Sequence, residues 1–360
     1  MINYYQPSVW PFLQLKANES PHSTKFYYYH SFEDGLWDFI KNKFSSAKKI
    51  TLLVPDFYCS DVLDNLKLHG FRYIYYPLDA DFQISPSQFR KYLWLYKPEI
   101  VVIFNACGIT SNLFSDTGWL LDLPKDSWIL EDNVHRLSDP EKITLLTDHH
   151  VVMDSLRKVS SLPGSRLFGS NRALDFIQNK SSYFSRYFLS SFFYYQLFQI
   201  FFFTGCLFNS SRLVIWAHDY WLSLHDDIIG DSFIPQPGFS FFIPFINRIN
   251  YKKISKLKIT QVKIYNRLLK NLFTSKHFYR ISIPAKDFGA LHVYPLGFKG
   301  PPDLALEKYL EQNHAPVWFK FTDTPWSRTR GVLFLPLGFH MHLGSICHLV
   351  NTLSAWSKLS

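Results

Sequence analysis

Four short stretches of the sequence concentrate side chains that transfer protons or hold charge. They are Pro55-Asp56-Phe57-Tyr58-Cys59, Asn105-Ala106-Cys107-Gly108, Glu131-Asp132-Asn133-Val134-His135 and Asp154-Ser155-Leu156-Arg157-Lys158. Each closes a run of aliphatic, β-branched or aromatic residues, so each is read as the carboxyl end of a strand. In open α/β sheets that end is where ligands sit. An acid with a histidine three residues on, beside a Ser-x-Arg-Lys on the next strand, can converge on one small cofactor. Taken singly these residues say less: a Glu-Asp at a strand end is ordinarily a turn or cap, and a lone Lys on a loop is ordinarily solvated. His149-His150 and His340-x-His342, with no cysteine partner nearby, are not read as a metal site.

The elements that must position these groups follow from hydrophobic patterning. Strands are expected over residues 49–55, 73–77, 100–105, 128–132 and 151–155, with helices over 34–44, 60–69 and 85–96 between them. That alternation predicts an α/β fold with a large, mostly parallel sheet covered by helices. After Gly164 the pattern changes to helical stretches over 170–180, 187–208 and 252–272. A compact α+β block follows, with strands at 290–296 and 331–335 and helices at 303–312 and 343–356. The chain of 360 residues is 47% hydrophobic, enough for a sizeable core and two domains. Its formal charge of +9 is dispersed, and the basic stretch Lys252, Lys253, Lys256, Lys258, Lys263 is expected to be a solvated helix face and not a nucleic-acid patch. Cysteines at 59, 107, 206 and 347 form no Cys-x-x-Cys pair, which favours a reducing, cytoplasmic setting. No secretory pattern is visible at Met1 to Tyr5.

In order and spacing, Pro-Asp-Phe-Tyr-Cys, Asn-Ala-Cys-Gly, Glu-Asp-Asn-Val-His and Ser-Leu-Arg-Lys followed by Leu162-Pro163-Gly164 resemble fold type I pyridoxal-phosphate enzymes of the DegT-type sugar aminotransferase group. Residues 247–272 resemble the family's linking helix, and Val293-Tyr294-Pro295-Leu296 and Leu333-Phe334-Leu335-Pro336-Leu337 the strands of its small domain. The resemblance implies an N-terminal extension over 1–24, a large cofactor domain over 25–250, a linking helix over 251–272 and a small α+β domain over 273–360. It further implies pyridoxal 5'-phosphate as cofactor, with Lys158 forming the Schiff base and shuttling the proton. Asp132 keeps the pyridine nitrogen protonated, and His135 touches the ring oxygen or the substrate. Ser155 and Arg157 bind the phosphate, Arg157 alternatively a substrate carboxylate. Phe57 or Tyr58 stacks on the ring. Ser31 belongs to the cofactor-binding helix start. The expected reaction moves an amino group from an amino acid to a keto sugar or related keto compound in a homodimer. A non-catalytic dimeric homologue serving as a binding or scaffold protein is the alternative.

One stretch departs from the family's pattern. Where a small residue and a hydroxyl or basic residue normally cradle the phosphate at a helix start, this chain has His30-Ser31-Phe32-Glu33-Asp34-Gly35-Leu36. Phe32 stands where glycine is expected, and Glu33 sets negative charge near a dianion. A second unusual segment, 187–208, carries no formal charge and is long enough for a membrane span. Its polar stripe of Ser191, Tyr195 and Gln199 favours instead a helix packed inside the protein or at a subunit contact.

Overall fold

The computed structural model describes residues 24–44, 50–159, 162–175, 188–208, 235–315, 317–338 and 341–359, with residues 210, 212, 213, 216, 217 and 220. The chain opens with β1 (Thr24–Tyr29), α1 (Phe32–Lys43), β2 (Thr51–Pro55), α2 (Ser60–Leu68), β3 (Arg72–Tyr76) and α3 (Pro86–Tyr96). It continues with β4 (Ile100–Phe104), β5 (Trp128–Asn133), β6 (His150–Ser155), the short α4 (Leu156–Val159), β7 (Ser165–Ser170) and α5 (Asn171–Leu174). These strands form one seven-stranded sheet in the order β1-β7-β6-β5-β4-β2-β3. Strands β2 to β6 are mutually parallel, while β7 runs antiparallel to both β6 and β1. The sequence order reverses between β2 and β4, which opens a crevice at the carboxyl ends there. β4 is buried along its whole length, as expected of a strand covered on both faces.

Register carries the strand-end residues to one level. Phe104 lies beside Asp132, Asp132 beside Met153, and Asn133 beside Asp154. Because side chains alternate along a strand, Asp132 and its neighbours leave on opposite faces. Glu131 and Asn133 bond the Asn105 amide on one side, and Asp132 faces the other. Asp154 is likewise turned away. It forms a buried ion pair with Arg166 Nη2, which also donates to the Ser138 carbonyl, while Nη1 donates to Tyr251 Oη, each at 2.8 Å.

The remaining elements are α6 (Phe188–Leu207), α7 (Ile243–Ile246), α8 (Tyr251–Leu268), β8 (Phe278–Arg280), β9 (Val293–Lys299), α9 (Leu304–Gln312), β10 (Arg330–Pro336) and α10 (Leu343–Leu359). Strands β10-β9-β8 make a small antiparallel sheet. Val262 and Tyr265 of α8 are buried in the same core as Leu296 and Leu335. Tyr265 Oη donates to the Pro336 carbonyl at 3.1 Å, tying the long helix to the small sheet.

The expected α/β architecture is therefore present, with differences in detail. β1 and β7, which complete the large sheet, and β8, the third strand of the small one, were not anticipated. The helix expected over 170–180 is only α5, preceded by strand, and residues 176–180 lie outside the described residues. The basic helix face also has a buried member, because Lys258 is 1% exposed and donates to the Leu291 carbonyl at 2.6 Å. In the uncharged segment, Phe198, Gln199 and Phe202 of α6 are buried, the two phenylalanines packing with Ala217, while Phe193, Ile200, Phe203 and Leu207 are exposed. Among the described residues no helix is long and apolar enough to cross a membrane.

Candidate active site

A cavity of about 430 Å³ opens where the carboxyl ends of β2, β4, β5 and β6 face the small sheet. The large sheet supplies Tyr58, Asp132, His135, Ser155, Arg157 and Lys158 to its walls. His292, just before β9, with Lys320, Phe321 and Phe334, closes the opposite side, and Phe32 and Glu33 of α1 line one end. The volume lies in the range of small-molecule sites, roughly 300–1,000 Å³.

Asp132 sits at the floor, 1% exposed. Its Oδ2 accepts from Tyr58 Oη at 2.6 Å and its Oδ1 from the Val134 N–H at 2.9 Å. Burial lifts its carboxyl to about 6, with those two hydrogen bonds and Lys158 pulling in the opposite direction. Desolvation holds Lys158 below the usual lysine value, reinforced by Arg157 and opposed by Cys59, Asp132 and Glu33. His135 is pushed well below the ordinary histidine value, first by burial and then by Lys158. Its ring stacks with His292 and with Phe321, at centroid distances of 5.2 and 5.6 Å and interplanar angles of 23° and 17°. Lys158 Nζ stands 3.4 Å from His135 Nε2. The arrangement thus joins a carboxylate, an imidazole and an amine biased toward its neutral form in one partly enclosed space.

The local folding explains the placement. After β6, the Leu156 N–H donates to the Gly164 carbonyl at 2.9 Å, closing the loop that carries Lys158. Gly164 has φ +88°, and a Cβ there would meet Tyr28 and the Tyr29 carbonyl within 2.6 Å, so only glycine fits this turn. Ser155 is buried at the end of β6 and lines the cavity beside Arg157.

Two expected site residues stand elsewhere. Phe57 points away from the cavity into an aromatic cluster with Phe82, Trp326 and Phe321 at 4.7–4.9 Å, so of the Phe57 and Tyr58 pair only Tyr58 reaches the site. Ser31 does not line the cavity: its hydroxyl caps α1, accepting from the Asp34 N–H at 3.0 Å and donating to Asp34 Oδ2 at 2.7 Å. His149 stacks on Trp128 at 4.7 Å, His150 Nδ1 accepts from the Leu146 N–H at 2.9 Å, and His340 lies outside the described residues. His292 and Lys320 were not singled out in the sequence, and Cys59 was quoted only as part of a strand-end stretch. A single histidine at the edge of an apolar strand carries no pattern that would have revealed His292.

No protein-family model matches this chain. No curated protein matches it either. Solved structures do. The chain is similar to NtdA from Bacillus subtilis, a structure with bound cofactor PMP, at TM-score 0.61 and 11% identity over 95% of this chain and 78% of that one. It is similar to a DegT/DnrJ/EryC1/StrS aminotransferase from Brucella abortus, with TM-score 0.58 and 11% identity over 92% and 86%. The histidinol-phosphate aminotransferase from Clostridium acetobutylicum gives TM-score 0.55 and 10% identity over 94% and 85%. The chain has the fold of these aminotransferases, in keeping with its strand-end motifs.

Proposed function

We propose, from this shared fold and the cavity at its carboxyl edge, that the chain is a pyridoxal-phosphate-dependent aminotransferase moving an amino group from an amino acid to a keto sugar or related keto compound. The observation that carries the reading is the meeting of Asp132, His135 and Lys158 in one cavity on successive strand ends. The residues fit the cofactor. Asp132 suits a pyridinium nitrogen, Lys158 is an amine biased toward its neutral, nucleophilic form, and Ser155 and Arg157 suit a phosphate. When bound, the cofactor supplies an electron sink for the substrate carbon that gains or loses the amino group.

The chain's own side chains divide the remaining work. Asp132, kept in place by Tyr58 and Val134, is the carboxylate that would hold a proton at the pyridine nitrogen of a bound cofactor. Lys158 Nζ takes a proton from the substrate carbon and returns it. His135 fixes that amine from 3.4 Å. Phe321 and Phe334 form an apolar wall that limits water in the site. The start of α1 contributes little to phosphate binding, because Ser31 and Asp34 spend their donors on each other and Glu33 faces the cavity. Phosphate affinity then falls to Ser155 and Arg157. A homodimer is part of this reading, as the resemblance to the sugar aminotransferase group implies.

Glu33 and the closed cap of α1 favour a second reading, a dimeric homologue that has lost the cofactor and serves as a binding or scaffold protein. One experiment separates the two. The purified chain is incubated with excess pyridoxal phosphate, reduced with borohydride and digested. Under the enzyme reading the protein becomes coloured and the mass increment falls on the peptide containing Lys158, and Lys158→Ala and Lys158→Arg lose both. No colour, or an increment on another lysine, hands the case to the scaffold reading.

A further inference from the structure

The turn after β4 touches the site through its backbone. Cys107 has φ +58°, a left-handed conformation that a residue with a Cβ adopts only under constraint. In this conformation its N–H points at the His135 ring, with 3.4 Å from N to Nδ1. The turn is clamped on its other side as well. The His292 N–H is shared between the Cys107 and His135 carbonyls at 3.0 Å each, tying both residues to the edge of the small sheet. Gly108, at φ +97°, lets the turn press in this close, since a Cβ there would meet the His135 carbonyl at 2.6 Å and Leu291 Cα at 2.7 Å.

A neutral imidazole has one acceptor nitrogen and one donor nitrogen. The Cys107 N–H occupies Nδ1 as an acceptor, so the ring proton belongs on Nε2. The group 3.4 Å from Nε2 is Lys158 Nζ. An ammonium there has no lone pair to accept this proton and would face donor to donor, whereas a neutral amine accepts it. We propose that Cys107, acting through its backbone N–H, is a positioning residue that fixes His135 as the Nε2–H tautomer, which donates to Lys158 and holds it as the neutral amine. The proposal rests on the reading of Lys158 as the reactive amine and explains how this chain keeps that amine ready for a carbonyl.

The charges around the pair agree with this. Arg157 on the same loop and the neighbouring His292 and Lys320 all disfavour a proton on His135, and Arg157 disfavours one on Lys158. Asp132 on β5, Glu33 on α1 and Cys59 at the start of α2 pull Lys158 the other way, without overcoming its desolvation.

The test needs no cofactor. The full chain is labelled with ¹⁵N-histidine, and His135 is identified by the signals missing in His135→Phe. Long-range ¹H–¹⁵N spectra between pH 6 and 8 are expected to show a neutral ring protonated at Nε2 and bare at Nδ1. Cys107→Gly, which keeps both the N–H and the left-handed turn, retains that pattern. Lys158→Met shifts the Nε2–H proton resonance while leaving Nδ1 unprotonated. A ring protonated at Nδ1, a doubly protonated ring at pH 7, or an Nε2–H resonance indifferent to Lys158→Met overturns the proposal. If the tautomer is as expected while pyridoxal phosphate never attaches to Lys158, the functional reading fails and the positioning role stands.

Discussion

Tyr58 and Asp132 are 74 positions apart in the chain, yet the Tyr58 hydroxyl donates to Asp132 Oδ2 at 2.6 Å and both side chains are buried. The bond joins the ends of β2 and β5 across β4 and favours the ionised carboxylate at the cavity floor. Its removal in Tyr58→Phe leaves the ring packing and takes away only the hydroxyl. The folded state should lose about 1.5–3 kcal/mol, the usual effect of a hydrogen bond to a charged group. Asp132, now with one donor fewer, should titrate above its value of about 6. A carboxyl titration followed by ¹³C NMR would show the midpoint rising in Tyr58→Phe. An unchanged midpoint would mean that Tyr58 supports packing alone.

Asp132→Asn separates a chemical role from a structural one. Asparagine keeps an acceptor for the Val134 N–H and can still partner Tyr58, so folding should change by no more than about 1–2 kcal/mol. Covalent loading of Lys158 should persist. Turnover should fall by roughly 100-fold or more, as expected when a group that controls a proton in the transition state is removed. Parallel loss of stability and activity would identify Asp132 as a turn residue.

The legible part of this fold is the part governed by local patterning. β2, β4, β5 and β6 are nearly continuous apolar runs, and the polar residues at or just past their ends, Asp56, Asn105, Asn133 and Ser155, mark the carboxyl edge, so a candidate site could be placed before any contact was known. Which of Phe57 and Tyr58 enters the cavity was not legible, because the chain leaves the regular strand after Pro55 and alternation no longer fixes direction. β1 and β7 pair with each other across 136 to 146 positions, from Tyr29 with Ser165 to Thr24 with Ser170, a relation no local window contains. Ser31-x-x-Asp34 reads equally as a helix cap and as a phosphate cradle, and the hydrogen bonds decide for the cap. Lys258 was readable in principle. It follows Ile254 and precedes Val262 at four-residue spacing, on the face of α8 that is buried.

Under the proposed function, Glu33 is expected to weaken phosphate binding in the cavity. Its carboxylate lines the end formed by α1, where it adds repulsion to a dianion. One unit charge about 4 Å away in a well-solvated site is worth about 1 kcal/mol, or a factor of about five. Glu33→Gln should therefore tighten binding of pyridoxal phosphate about five-fold and leave binding of pyridoxal, which lacks the phosphate, nearly unchanged. The comparison is made by absorbance titration of both aldehydes. Equal changes for the two would show that Glu33 acts on the site's general shape and not on the phosphate.

Lys258 gives the molecule a pH dependence that can be assigned to one side chain. It is buried with its amine on the Leu291 carbonyl, and burial lowers it from the ordinary lysine value of 10.5 to about 7. Between these two values the unfolded chain carries a proton at this position that the folded chain does not. Unfolding then takes up a proton, and stability rises with pH across that window. Below about pH 7 both states are protonated, and the folded protein bears the full cost of a buried ammonium. Lys258→Met removes the titration and keeps most of the volume. Urea unfolding of both proteins at pH 6.5, 7.5, 8.5 and 9.5 should show the wild type gaining on the variant at each step, by on the order of a few kcal/mol in total. The other shifted groups titrate alike in both proteins and cancel in the difference. A difference that is flat with pH would mean that Lys258 keeps an ordinary lysine proton affinity inside the fold, with water or a rearranged carbonyl compensating its burial.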